Sequence, residues 1–219
     1  MILCKKQKKH TSIVFDGPIG AGKTTISREI AKRHDCTYLN TDNIVKAYAY
    51  VCVQNNVEYN IPEMVRAILS TIHLNFETIQ CANNKELVIK VGERNITHQL
   101  DDYFVLDMAQ KLGSNALFSE IFRNAQKEIA EKFDVVVDCG ELSNAVLPNP
   151  GFKFYITAEP EVRRKRIPST KQQFLNYKLE KSADALVINT SSLNIKESID
   201  KVDYLLTGKS QNNQIQQKI

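Results

Sequence analysis

Residues 12–25 read Ser12-Ile13-Val14-Phe15-Asp16-Gly17-Pro18-Ile19-Gly20-Ala21-Gly22-Lys23-Thr24-Thr25. An apolar run of strand length stops at a glycine. A helix-forming stretch from about Gly22 to His34 follows, with Ile26, Ile30 and Ala31 at helical spacing. Between them Gly17 to Thr24 spell G-x-x-x-x-G-K-T. Glycines let the backbone curl so that successive N–H groups point at phosphate oxygens, and the start of a helix adds its positive end. Lys23 can reach the β- and γ-phosphates of a nucleoside triphosphate, and the Thr24 hydroxyl can ligate Mg²⁺. The expected ATP-binding set is Gly17, Gly20, Ala21, Gly22, Lys23, Thr24 and Thr25, with Lys23 also catalytic.

Outward from this loop the chain alternates. Asp42 to Gln54 and Glu63 to Ile72 read as helices, and Pro62 stands where a helix can start. Between about Ile72 and Leu100 the pattern changes to short β-like pieces, Ile72–Phe76 and Glu86–Val91, the second closing on Gly92. Helical spacing resumes over Asp102–Leu112 and Leu117–Lys132. Three apolar runs of strand length follow: Phe133–Asp138, Phe152–Thr157 and Ala185–Asn189. Near-continuous runs suit strands buried on both faces of a parallel sheet. Strands alternating with helices predict an α/β sandwich with a central parallel sheet and right-handed crossovers.

Composition narrows the function. The chain has 219 residues, with 29 Lys+Arg against 25 Asp+Glu. Lys5, Lys6, Lys8 and Lys9 lie in an acid-free segment, and the rest of the chain is balanced. The excess charge therefore belongs to a basic tail, residues 1–10, rather than to a nucleic-acid-binding face. The stretch 207–219 has no acid and much Gln and Asn, and is expected to be a disordered tail. No apolar run reaches the roughly 18 residues of a membrane span, and the N-terminus lacks the apolar core of a secretory signal. Cys4, Cys36, Cys52, Cys81 and Cys139 are an odd number with no C-x-x-C, and His10, His34, His73 and His98 form no i, i+4 pair. That usage fits reduced thiols in the cytoplasm and gives no support to a zinc site.

Asp138 ends a β-branched run, the usual place for a Walker-B acid that holds Mg²⁺ directly or through water. A GTPase is disfavoured, because Asn83-Asn84-Lys85-Glu86-Leu87 lacks the guanine-reading Asp. The length leaves little room for the modules of helicases or transporters and points to a small-molecule kinase. Glu93-Arg94 has the look of a deoxynucleoside kinase pair, but Gly92 places it in an expected hairpin turn.

Over residues 11–206 the chain resembles the bacterial-type cytidylate (CMP/dCMP) kinases. Asp16-Gly17-Pro18 matches that family's "DGP" triplet, and Tyr38-Leu39-Asn40-Thr41 with Asn43 to Ala47 is similar to its "YLDTGAMYRA" segment. Val88 to Thr97 resembles its short β insertion. Asp184 to Thr190 with Leu193-Asn194-Ile195 is similar to its closing "DALVIDT..LSI". The resemblance implies a P-loop nucleoside monophosphate kinase-like three-layer sandwich over 11–206. Within it would lie a monophosphate-binding subdomain with the β insertion at about 60–100, and a short lid at about 167–183. It implies transfer of the ATP γ-phosphoryl group to CMP or dCMP, with ATP and Mg²⁺ as cofactors and small-molecule nucleotides as partners. No nucleic acid, membrane or second subunit is expected; the chain would act as a cytoplasmic monomer. Thr41, Lys46 and Glu141 would bind the acceptor, Arg163 and Arg166 would flank ATP as catalytic residues, and Thr24 and Asp138 would hold the metal. Thr41 has an alternative reading as the N-cap of the following helix, and Glu141 as a plain loop acid.

The chain departs from the family where the acceptor's phosphate is held. Lys46 stands for the family's "YRA" arginine, and "GRD" becomes Cys139-Gly140-Glu141. Ser119 stands for another arginine, Gln126-Lys127 for the "QR" pair, and no arginine follows Arg166. Lysine keeps the charge but not the bidentate fork. Two further readings therefore stand beside a pyrimidine monophosphate kinase. One is a kinase-fold protein that binds ATP and serves as a regulatory or scaffold module; the other is a small-molecule kinase with a different acceptor.

Overall fold

The computed structural model describes residues 10–82, 84–113, 118–139, 147, 150–169 and 181–208. The central strand is β1, Ser12–Asp16. It pairs in parallel with β6, Val135–Asp138, on one side and β7, Phe152–Thr157, on the other. Beyond β6 lies β2, Thr37–Asn40, and beyond β7 lies β8, Leu186–Asn189, both parallel. The sheet continues past β2 through β4, Asn84–Val91, and β3, Leu74–Cys81; β5, Arg94–Asn95, pairs on β4. A parallel core extended by an antiparallel hairpin follows from the connections. Long helical crossovers return the chain in parallel, whereas a tight turn around Ala82 reverses it.

Strand alternation assigns each residue to a layer. Ile13 and Phe15 of β1, Val136 of β6 and Phe154 and Ile156 of β7 face one side. They pack there with Ile26 and Ile30 of α1, Lys23–Arg33, and Ile199 and Val202 of α7, Ile195–Thr207. Val14, Val135 and Val137 face the other side, with Ile44 and Tyr48 of α2, Thr41–Gln54. Val65 and Leu69 of α3, Pro62–Thr71, join that layer. So do Val105 and Leu112 of α4, Tyr103–Gly113, and Ile129 of α5, Phe118–Lys132. The result is helix, sheet, helix. The remaining helix, α6, Pro160–Arg166, ends at Ile167, whose extended backbone (φ −106°, ψ 146°) is what a following proline, Pro168, imposes.

Several boundaries move from the sequence expectation. The run Phe133–Asp138 becomes a strand only at Val135, because the Phe133 N–H still bonds back to Ile129 O of α5. The piece expected at Ile72–Phe76 starts at Leu74 and extends to Cys81, since polar Asn75 and Glu77 alternate outward while the hairpin register runs from Leu74↔Val91 to Cys81↔Asn84. Helix α7 runs to Thr207 with Gly208 as its left-handed cap, into the stretch expected to be a tail; residues 209–219 lie outside the described residues. Among the described residues no helix is long and apolar enough to cross a membrane.

Candidate active site

The glycine-rich loop occupies the carboxyl end of β1 and is shaped by what it touches. Gly17 has φ +133°, and a Cβ there would lie 1.9 Å from the Ile156 carbonyl oxygen, so only glycine lets the loop lie against β7. A Cβ on Gly20 would come within 2.9 Å of the Arg163 carbonyl oxygen, so the loop also abuts α6. Helix α1 then begins at Lys23 with no acid in its first turn, which leaves its positive end free to meet an anion.

Lys23 folds back over the loop, its Nζ donating to Gly17 O (2.6 Å) and Pro18 O (3.3 Å). The Thr24 hydroxyl donates to Asp138 Oδ2 at 2.7 Å. Tyr38 of β2 donates to the same oxygen at 2.8 Å. The other carboxylate oxygen, Oδ1, is buried and has no hydrogen-bond partner among the described residues. Burial pushes the Asp138 carboxyl above its ordinary range, opposed by the Thr24 and Tyr38 hydrogen bonds and the Lys23 charge. An oxygen so desolvated and unmatched is what a divalent cation would satisfy, and Thr24 retains hydroxyl lone pairs to share in it. The residues present therefore fit Mg²⁺.

The loop opens onto a cleft of ≈ 890 Å³ whose lining includes Lys23, Thr24, Asp138 and Arg166, with Leu193 and Ile195 beyond them. Of the two arginines expected beside ATP, Arg163 turns to backbone, donating to Ala158 O (3.1 Å) and Ile19 O (3.4 Å). Arg166 lines the cleft and donates to the Thr190 hydroxyl and carbonyl oxygens, each at 2.9 Å. Thr190 in turn donates to Ala21 O at 2.9 Å, tying the end of β8 to the loop. Sequence reasoning did not single out Tyr38, Thr190 or strand β2 for these roles.

The acceptor side differs more from expectation. Thr41 is not the N-cap of α2: the cap is Asn40, whose side chain accepts from the Asp42 N–H at 2.9 Å. Thr41 is fully buried, its hydroxyl 3.4 Å from the Asp138 carbonyl oxygen. Lys46 is paired with Asp101 at 2.6 Å. Gly140 and Glu141 lie outside the described residues, as does most of the expected lid. Glu93 sits in the turn after Gly92, and the Arg94 guanidinium lies 5.9 Å from the Tyr50 ring centroid.

Comparison with known proteins bears on the whole of this arrangement. Cytidylate kinases of Clostridium botulinum strain Hall and Clostridium tetani are 27% and 28% identical to the chain. The alignments cover 87% and 89% of the chain and 95% and 92% of those proteins. That of Mycoplasmoides gallisepticum is 27% identical, over 90% of the chain and 93% of its own length. A shikimate kinase structure from Bacteroides thetaiotaomicron superposes with a TM-score of 0.44 at 16% identity, covering 90% of the chain and 98% of that protein. The cytidylate kinase family profile matches residues 13–176, three quarters of the chain, and the chain belongs to the cytidylate kinase family.

Proposed function

We propose that this protein transfers the γ-phosphoryl group of ATP to a pyrimidine nucleoside monophosphate, CMP or dCMP, giving ADP and the nucleoside diphosphate. The observation that carries this reading is the contact of Thr24 with Asp138 at the mouth of an intact phosphate loop, with Asp138 Oδ1 left unmatched among the described residues. Family membership supports the choice of acceptor class.

The chain's residues divide the work by charge. Loop N–H groups and Lys23 hold the β- and γ-phosphates, for which Lys23 exchanges the Gly17 and Pro18 carbonyls for phosphate oxygens. Thr24 and Asp138 hold Mg²⁺, which when bound neutralises charge on the triphosphate. Lys46 is the acceptor-side cation, and Arg166, already in the cleft wall, is near enough to the loop to offset charge on the transferring group. An oxygen of the acceptor's phosphate forms the new bond to Pγ while the bond from Pγ to the β–γ bridging oxygen breaks. The acceptor is already an anion, so no general base is required. What the protein supplies is positioning and electrostatic compensation.

A coupled ADP-release assay with CMP, dCMP, UMP, dTMP and AMP tests the proposal. CMP and dCMP should give the highest kcat/KM of the five. Tight ATP binding with no turnover of either cytidine nucleotide would overturn it in favour of a nucleotide-binding module without transfer.

A further inference from the structure

We propose that Tyr38 is a positioning residue for the metal site: it fixes the Asp138 carboxylate so that Oδ1 alone faces the cation. This rests on the reading of Thr24 and Asp138 as metal-holding residues.

The register shows why a tyrosine suits the position. Asn40 of β2 is the direct partner of Asp138 of β6, so Tyr38, two residues earlier, lies on the same face of the sheet as Asp138 and diagonally behind it. Diagonal neighbours stand roughly 7–8 Å apart, a gap that an aromatic side chain bridges. The Tyr38 hydroxyl closes that gap and donates at 2.8 Å. Above the ring lies Arg28 of α1, its guanidinium 4.9 Å from the centroid, a cation–π contact that holds the ring in its plane.

With Thr24 and Tyr38 both donating to Oδ2, that oxygen is occupied and the carboxylate plane is set by two directions rather than one. A single donor would leave the group free to pivot about it. The second donor therefore does for this carboxylate what outer hydrogen-bond partners do for metal ligands generally: it orients the ligand before the ion arrives. Thr24 contributes its hydrogen to Asp138 and its lone pairs elsewhere, so the two donors do not compete.

The test is Tyr38→Phe, which keeps the ring and its contact with Arg28 and removes one hydroxyl. Two quantities are read: the Mg²⁺ concentration that half-saturates the metal-dependent gain in ATP affinity, and Mn²⁺ binding followed by electron paramagnetic resonance in the presence of ATP. Both should weaken about 10-fold, while ATP affinity in EDTA stays unchanged. An unchanged metal requirement, or an equal loss of ATP affinity with and without metal, would overturn the proposal. Arg28→Gln is a second variant on an exposed residue; it loosens the ring without removing the hydroxyl and should move the same readouts by about twofold. Asp138→Asn separates the levels. If it leaves metal dependence intact, the metal site and the role of Tyr38 fall together. If it abolishes metal dependence while Tyr38→Phe does not weaken it, the role of Tyr38 alone is refuted.

Discussion

Asp138 holds its carboxylate where burial disfavours charge, and the consequence is measurable without any nucleotide. Its pKa is raised in the folded protein, so protonation is linked to folding. This group's contribution to stability is fully present below the ordinary carboxylate range and is lost as pH rises through the raised value. Asp138→Asn should therefore melt above the parent at pH 8. The difference should shrink on acidification into the ordinary carboxylate range, as followed by calorimetry. Lys46 shows the opposite economy of charge: its partner Asp101 is 85% exposed, so the pair contributes at most about 1 kcal/mol and an incoming phosphate can displace it. Asp101→Asn should lower KM for CMP about two- to fivefold with kcat little altered, and Lys46→Ala should raise it. A steady-state titration of CMP at saturating ATP reads both.

At the scale of elements, α7 carries a complete capping box: Asn194 accepts from the Glu197 N–H at 2.9 Å, and Glu197 accepts from the Asn194 N–H at 2.8 Å. Asn194→Ala should cost about 1 kcal/mol, read as a lower denaturation midpoint with unchanged slope. The same helix is pinned to the end of α1, where Arg33 bonds Asp200 (2.9 Å) and Asp203 (3.2 Å) and His34 bonds Asp203 (2.7 Å). The strand–loop–helix around Gly17 to Thr24 is legible from sequence because its chemistry constrains nearly every residue. Strand β2 is not: Thr37–Asn40 has only four residues, two of them polar, and its place is set by neighbours nearly a hundred residues away. Helix α7 had a readable signal in Asn194-x-x-Glu197, which precedes its apolar face. Lys46 could be identified as a cation in the sequence, but its pairing with Asp101 depends on the path of α2 past the start of α4.

For the whole molecule, ligand binding and folding share one balance. With Mg²⁺-ATP at about 100 times its Kd, the native state gains about 2.7 kcal/mol, equivalent to roughly 5–10 °C in a chain of this length. Lys23→Ala should abolish most of that thermal shift; an undiminished shift would show that the phosphate loop is not where ATP binds. The strand order also dictates a timetable. Strand β1 emerges from the ribosome well before its partners, the strands around Val135 and Phe152, because Ser12 registers with Val135 and Ile13 with Phe152. At roughly 5–20 residues per second, about 6–25 s pass before either partner has been synthesised. During that interval the apolar strand that will form the centre of the sheet has no edge to join, while the hairpin of β3 and β4 can already close on itself. A nascent chain of this protein should thus be most dependent on chaperones while β1 waits unpaired, and least once β7 has cleared the exit tunnel.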